Sequence, residues 1–83
     1  MKLRVRYFAS VREALGQASE EMQTRSETLG ALRDELIGRG EPYAGALARG
    51  RAVRMALDQV MSDDAAVLRE GCEVAFFPPV TGG

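Results

Sequence analysis

Residues 3–8 read Leu3-Arg4-Val5-Arg6-Tyr7-Phe8, and residues 73–77 read Glu73-Val74-Ala75-Phe76-Phe77. The first segment alternates apolar and charged side chains as far as Tyr7, which predicts a β-strand with one buried face. The second segment is largely apolar and is followed by Pro78, which has no N–H to donate and therefore ends the strand. Because these are the most apolar strands of the chain, we expect them to lie side by side at the centre of one sheet.

Two further elements are predicted between the first strand and the main helix. Ser10 and Gly16 should cap the two ends of a short helical turn. A polar but strand-compatible stretch follows at residues 19–24, with Met22 on its apolar side. We expect this stretch to pair with the first strand as a hairpin.

The main helix is predicted to begin at Thr28 and to end at Gly38 and Gly40. Its apolar side chains follow the spacing of one buried stripe, and its charged side chains fall mostly on the opposite side. The stripe consists of Leu29, Leu32, Leu36 and Ile37, and the charged residues are Arg33, Asp34 and Glu35.

After the helix, residues 43–47 are expected to form one more helical turn, and residues 53–57 and 60–61 to form two strands joined by a turn. In this order of elements, the single long helix has to cover one face of the sheet. The sequence therefore predicts an α+β fold of the β-grasp (ubiquitin-like) class, with a mixed sheet of four to five strands packed on one main helix. Residues 1–77 would form this domain, and residues 78–83 a flexible C-terminal tail ending in Gly-Gly.

The composition is typical of a small soluble domain, with 83 residues, 46% of them hydrophobic and 28% charged. A net charge of −1 gives no electrostatic reason to bind nucleic acid or an anionic membrane surface. No apolar stretch has membrane-spanning length and residues 1–4 lack a signal-peptide core, so we expect a cytoplasmic protein. Histidine, the commonest general base and metal ligand, is absent, and we therefore expect neither a metal site nor a self-contained enzyme.

The acidic pairs and the single cysteine do not indicate a catalytic centre. Neighbours in a strand face opposite sides, so Glu20 and Glu21 are not expected to form a carboxylate dyad, and we expect them, like Asp63 and Asp64, to be solvated. Cys72 has no cysteine partner within the chain and is expected to be an inert small hydrophobe. A redox or sulfur-relay thiol is the alternative for Cys72.

The last eight residues form the most informative motif, Phe76-Phe77-Pro78-Pro79-Val80-Thr81-Gly82-Gly83. Glycines have no Cβ, so such a tip can enter a narrow site, where the reactive group would be the α-carboxylate of Gly83. Pro78 and Pro79 stiffen the base of the tail and reduce the entropy lost when it is ordered. The alternative is a frayed tail without a function, since most chain ends behave in that way.

This octet resembles the C-terminus of the sulfur-carrying small subunits of molybdopterin synthase, a ubiquitin-like family. The resemblance extends over the whole chain and is further carried by residues 5–9, 11–13 and 68–74. Cys72 departs from the pattern, because it stands where an acidic residue is expected. Terminal Gly-Gly alone would not separate this family from the thiazole-pathway sulfur carrier or from ubiquitin-like modifiers, whereas the octet is specific.

The resemblance implies a carrier cycle centred on Gly83. An adenylyltransferase similar to ubiquitin-activating enzymes would use ATP to convert the Gly83 carboxylate into an acyl-adenylate, and a sulfur-donating enzyme would then provide the sulfur of a thiocarboxylate. The tail would insert into the large synthase subunit and pass sulfur to cyclic pyranopterin monophosphate. Its inserting residues would be Pro78, Pro79, Val80, Thr81 and Gly82. Two carriers and two large subunits would form a heterotetramer, and the small subunit would bind no cofactor and contribute no catalytic side chain.

Phe8, Met61 and Phe77 are expected to form a partner-binding patch on the helix-free face of the sheet. Phe8 and Phe77 have the parity opposite to the buried residues of their strands, and Met61 is the matching apolar residue in the resemblance. Three large apolar groups on an open face are typical of an interface. The alternative is that one or more of the three belongs to the core.

Other functions with the same C-terminal chemistry remain open from the sequence. One is a protein modifier whose Gly83 forms an isopeptide bond with lysines of target proteins. Lys2 is the only lysine of the chain, which disfavours a modifier that builds chains. Another is the thiazole-pathway sulfur carrier, which would act with a different partner.

Overall fold

The computed structural model describes residues 1–79 and has a single sheet of five strands with three helices. The strands are β1 (Lys2–Tyr7), β2 (Ser19–Gln23), β3 (Arg54–Leu57), β4 (Val60–Ser62) and β5 (Glu73–Phe77). The helices are α1 (Ala9–Leu15), α2 (Leu29–Ile37) and α3 (Tyr43–Leu47). Within residues 1–79, none of the helices has the length and apolarity needed to cross a membrane.

The strand order is β2-β1-β5-β3-β4, so the first and last strands lie at the centre as predicted. β1 and β5 pair in parallel, with Val5 opposite Val74, and all the other neighbours pair antiparallel. This mixed sheet with one main helix confirms the predicted β-grasp fold. Because β1 and β5 are parallel, their C-terminal ends share one edge of the sheet, which places Phe8 near Phe77.

The core lies between the sheet and α2. Leu29, Leu32 and Leu36 of α2 are fully buried and Ile37 is half-buried against the core, which confirms the predicted stripe. The helix begins after Thr28, whose Oγ1 accepts a hydrogen bond from the backbone N–H of Ala31 at 3.2 Å. The largest buried side chains contributed by the strands are Leu3, Val5, Tyr7, Val74 and Phe76.

The predicted cap of the short first helix is wrong at its N-terminal end. Helix α1 begins at Ala9 with Phe8 in the cap position, and no side chain caps it. The chain turns out of β1 at Ala9, which has a left-handed φ of 50°, so the helix begins before Ser10 and the cap position falls on Phe8, whose side chain has no hydrogen-bonding atom. The C-terminal end is as predicted, because Gly16 has a φ of 73° and its N–H bonds to the carbonyl of Arg12.

The expectation that Arg33 lies on the solvent side of α2 is also wrong. Arg33 is 5% exposed, and its Nε donates to the carbonyl oxygen of Leu47 at 2.7 Å. Its second terminal nitrogen donates to the carbonyl oxygen of Ala48 at 2.8 Å. Helix α3 packs on α2, and the last carbonyls of α3 lack partners within their own helix, so the guanidinium of Arg33 satisfies them.

Candidate functional site

Phe8 and Phe77 come together on the face of the sheet opposite the core. Phe77 is half-buried at the end of β5, and Phe8, which is 37% exposed, directly follows β1. Both line one open cleft of about 650 Å³, to which Ala9, Ala56 and Ala75 also contribute. We call these five residues the docking patch.

Met61 lies at the margin of the docking patch. It is 58% exposed on β4 and stands opposite Ala56, which puts it on the same face of the sheet. It lines a neighbouring hollow together with Arg54 and not the cleft itself. The structure thus brings together two of the three predicted residues and places the third beside them. Their role in partner binding remains a prediction.

Ala56 and Ala75 are patch residues that the strand patterns did not single out. They face each other in the register of β3 and β5 and point away from the core. Their small side chains leave the space between the two phenyl rings open. The sequence feature that could have identified them is an apolar residue at an outward-facing position in each of two strands, β3 and β5.

The backbone fixes Phe8 at the edge of the cleft. The N–H of Phe8 donates to the carbonyl oxygen of Phe76 at 3.1 Å and so extends the β1–β5 pairing by one residue. The next residue, Ala9, has a left-handed φ of 50°, a conformation that costs a non-glycine residue about 1–2 kcal/mol. The strained turn therefore lies directly after Phe8 and helps to fix this residue at the cleft.

Pro78 and Pro79, at the predicted base of the tail, are half-buried. On one side they line the cleft of the docking patch. On the other side they line a second hollow of about 350 Å³, to which Val11 of α1 and Ala46 of α3 contribute. The base of the tail is therefore seated against the domain from two sides.

The remaining tail residues lie outside the described part of the chain. They are Val80, Thr81, Gly82 and Gly83. Their insertion into a partner and the chemistry at Gly83 therefore remain predictions.

Charged groups surround the docking patch. The guanidinium carbon of Arg6 lies 5.0 Å from the centre of the Phe8 ring, a cation–π geometry. The same guanidinium is 3.9 Å from the carboxylate of Glu73. Arg54 is exposed and stands opposite Phe77 in the register of β3 and β5.

The expectation that Glu20 is solvated is wrong. Its side chain is 17% exposed and accepts hydrogen bonds from the hydroxyl of Tyr7 at 2.9 Å, from Gln17 at 3.1 Å and from the hydroxyl of Tyr43 at 3.2 Å. Arg39 forms an ion pair with it at 2.9 Å. Burial and the bond to Glu20 raise the pKa of Tyr7 well above its ordinary value. This Glu20 cluster joins four segments of the chain and has a structural role.

The other acidic residues and the cysteine are placed as predicted. Glu21 points away from Glu20 and pairs with Lys2 and Arg4, which rules out a dyad. Asp63 and Asp64 are exposed. Cys72 is 4% exposed within the hydrophobic core, which favours the inert interpretation of its thiol. Among residues 1–79, no group of three or more potential ligand side chains is arranged to hold a metal ion.

Comparison with known proteins identifies the family. Residues 5–83 match the sequence profile of the ThiS family, which is nearly the whole chain. The chain belongs to the ThiS family.

Several named relatives are similar over their full lengths to this ThiS-family chain. The molybdopterin synthase sulfur carrier subunit of Escherichia coli is 38% identical over 81 residues, and that of Haemophilus influenzae 36% over 81 residues. Each alignment covers 98% of this chain and 99% of the relative. Small archaeal modifier protein 3 of Haloferax volcanii is 37% identical over 97 residues, with both chains covered completely.

Solved structures share the fold of this ThiS-family chain. SAMP1 from Haloferax volcanii superposes with a TM-score of 0.76 at 22% identity, and the match covers both chains completely. A chain in the complex of subunits 1 and 2 of molybdopterin-converting factor from Helicobacter pylori gives a TM-score of 0.69 at 24% identity, again over both whole chains. At this level of identity the two structures support the β-grasp fold.

Proposed function

We propose that this chain is the sulfur carrier subunit of a molybdopterin synthase, with Gly83 as the residue that carries the sulfur. The observation that carries the proposal is the match to the ThiS family, which extends through Gly83. Relatives named as molybdopterin synthase sulfur carrier subunits align with 98% of the chain. The partner is then the large synthase subunit.

The chemistry begins with activation of the Gly83 carboxylate. An α-carboxylate has an ordinary pKa of about 3.5, so it is ionised at neutral pH and is a poor acyl donor. An oxygen of the carboxylate attacks the α-phosphorus of ATP on the adenylyltransferase, and pyrophosphate leaves. Sulfur at the oxidation level of sulfide, supplied by a sulfur-donating enzyme, then displaces AMP and leaves a thiocarboxylate.

The loaded terminus next delivers its sulfur to cyclic pyranopterin monophosphate in the large subunit. The acyl C–S bond breaks, and water supplies the oxygen that returns Gly83 to a carboxylate, so the carrier can be loaded again. The dithiolene of molybdopterin holds two sulfurs, which accounts for two carriers and two large subunits in one assembly. The catalytic side chains belong to the large subunit.

Two features of the described residues support a carrier. The docking patch provides a hydrophobic contact surface directly beside the tail. Pro78 and Pro79 are seated against the domain, so the tail starts from a fixed point. An extended chain from Pro78 to Gly83 reaches about 20 Å, which is enough to enter a buried site while the domain stays outside.

Deletion of Gly83 tests the proposal directly. The deletion withdraws the carboxylate by about 3.5 Å, which is more than an activated-phosphate geometry tolerates. In a reaction with the adenylyltransferase, ATP and a sulfur donor, the wild-type protein should gain the mass difference between one sulfur atom and the oxygen atom that it replaces. The deletion variant should not gain this mass. Gly82→Val should not gain it either, because its β-branched side chain would have to enter the narrow site that receives the glycine tip.

Gly50→Ala is the matched glycine control. A Cβ at Gly50 would meet no atom within 4 Å, so this variant should be loaded like the wild type. Uptake of sulfur by the Gly83 deletion, together with support of molybdopterin formation, would refute the proposal.

A protein modifier is the second candidate, favoured by the 37% identity with small archaeal modifier protein 3 over the whole chain. Chain building would have to use Lys2, whose amine is 3.4 Å from Glu21. Denaturing purification of the chain from cells distinguishes the functions, because a modifier appears in lysine conjugates and a carrier as a free thioacid. Co-purification with a thiazole-forming enzyme in place of the synthase would indicate the thiazole-pathway carrier.

A further inference from the structure

We infer that Arg6 and Arg54 make the docking patch selective for an acidic surface. The occupant is the large synthase subunit, so this inference rests on the proposed function. Arg6 on β1 stands in register with Ala75, and Arg54 on β3 stands opposite Phe77. Both therefore lie on the face of the patch, one on each side of β5. Two guanidinium groups thus flank the last strand before the tail.

The positive charge of this pair is only weakly compensated. Among residues 1–79, Arg54 forms no ion pair. Arg6 has Glu73 as its ion-pair partner, at 3.9 Å. The hollow that Arg54 lines also holds Asp64, which is already bound by Arg49 at 2.7 Å, and Asp63, whose carboxylate accepts the N–H of Ala65 at 3.0 Å and pairs with no cation among residues 1–79. Arg54 is therefore available to a carboxylate of another protein.

Other cations on the same face are compensated within the chain. Lys2 and Arg4 both pair with Glu21, at 3.4 and 3.2 Å, and a second carboxylate, that of Glu70, lines the same hollow as these two cations. Arg4 and Lys2 hold the pKa of Glu21 below its usual value, as expected for a carboxylate between two cations. The excess of positive charge is thus local to the tail end of the sheet, although the whole chain has a net charge of −1.

A third arginine extends this positive region around the base of the tail. Arg51 lines the hollow on the far side of Pro78 and Pro79. Its Nε donates to the carbonyl oxygen of Gly45 at 3.1 Å, and it forms no ion pair within the described residues. The tail therefore leaves the domain between arginines on two sides.

The chemistry of guanidinium groups around an apolar centre favours a protein surface that bears Asp and Glu. Guanidinium pairs with carboxylate through two parallel hydrogen bonds, and such charges at the rim of an interface accelerate association. The phosphates of ATP are a less suitable ligand for these arginines. ATP reacts with the carboxylate of Gly83, which an extended tail carries about 20 Å away from the base of the tail. The carboxylates would surround the apolar pocket that receives Phe8 and Phe77.

Association kinetics with the purified large subunit test this inference. Arg54→Glu should lower the association rate constant about tenfold at 50 mM salt, and the loss should shrink to about twofold at 500 mM salt, since screening weakens rim electrostatics. Arg54→Gln should give a smaller loss in the same direction. Arg25→Glu is the matched control. Arg25 is exposed and follows the end of β2, which pairs with the start of β1. Since Phe8 lies at the other end of β1, Arg25 is about 20 Å from the patch.

The outcomes separate this inference from the proposed function. Equal association rates for Arg54→Glu and Arg25→Glu, or a loss that does not depend on salt, would overturn the inference. If Phe77→Ala still weakened binding in that case, the proposed carrier function would stand. Loss of adenylation by Arg54→Glu, with normal binding to the large subunit, would also overturn the inference and would indicate the adenylyltransferase as the acidic partner. Failure of the wild-type chain to bind would contradict both.

Discussion

The contacts of Glu20 cannot be predicted from the residues that surround it in the sequence. Strand parity correctly separates it from Glu21, which faces Lys2 and Arg4. Its own partners come from β1, from the loop before β2 and from the region around α3, and the local pattern does not contain them. Contacts between distant segments of this kind could not be predicted from the sequence.

Because of Tyr7, the Glu20 cluster should make the free energy of unfolding decrease at alkaline pH. The pKa of Tyr7 is raised in the folded state, so its contribution is complete below about pH 10 and is lost as the pH rises further. Tyr7→Phe should lower the free energy of unfolding by about 1 kcal/mol at pH 8, because one hydrogen bond is lost. This difference from wild type should shrink by about 1 kcal/mol between pH 10 and 11.

Urea unfolding of both proteins at pH 8, 10 and 11 measures this difference. Taking the difference between wild type and Tyr7→Phe removes the contributions of all other titrating groups that the two proteins share. A constant difference from pH 8 to pH 11 would mean that Tyr7 ionises equally in the folded and unfolded states.

Phe77 is the residue at which we expect the docking patch to be most sensitive. Phe77→Ala should weaken binding to the large subunit by about 2 kcal/mol, or roughly 30-fold in Kd, if the side chain is an interface hot spot. Isothermal titration with the purified large subunit gives the value. Val67→Ala is the control, because Val67 is 65% exposed and lies outside the patch. Unchanged affinity of Phe77→Ala would mean that the patch is not the interface.

At the scale of elements, the best-predicted segments were those with a strong local pattern. The alternation of β1, the cap at Thr28 and the proline after β5 each follow from a few neighbouring residues. The predictions for Ser10 and Arg33 are wrong because packing decides both. The turn at Ala9 replaces the expected cap. Helix α3 covers the side of α2 that the sequence pattern predicts to face solvent.

The contact between α2 and the loop before β5 provides a prediction at this scale. A Cβ on Gly30 would lie 2.8 Å from the Cβ of Asp64 and 3.3 Å from its carbonyl oxygen. That oxygen accepts the N–H of Gly30 at 3.0 Å, so the loop cannot move away without loss of the bond. Gly30→Ala should therefore lower the free energy of unfolding by about 1 kcal/mol, although alanine is the better helix former.

Thermal unfolding measures this effect, which should be a drop of about 4–8 °C in Tm. Gly50→Ala is the control and should leave Tm unchanged or slightly higher, since its Cβ meets open space. A rise in Tm for Gly30→Ala would show that the loop adapts without cost.

At the scale of the whole molecule, the docking patch and the reactive terminus are separate parts. The buried core residues all lie between Leu3 and Phe76. A chain that ends at Pro79 should therefore fold, bind the large subunit through the patch and carry no sulfur. It should inhibit molybdopterin formation in competition with the loaded carrier.

The inhibition is measured with purified synthase and thiocarboxylated full-length chain. The same truncation combined with Phe77→Ala should inhibit much less, because it lacks the main contact. Absence of inhibition by the simple truncation in large excess would show that the tail, and not the patch, provides the affinity.

The central position of β5 has a consequence for the synthesis of the protein. Both β1 and β3 pair with β5, and Val5 meets a partner, Val74, from near the other end of the chain. The sheet therefore closes only after residues 73–77 have emerged from the ribosome, because a long loop has to close before these contacts form. A polypeptide released earlier lacks the common neighbour of two strands and the buried ring of Phe76. Translation products that lack β5 therefore cannot bind the partner, and docking competence is acquired only once β5 is free to pair with β1 and β3.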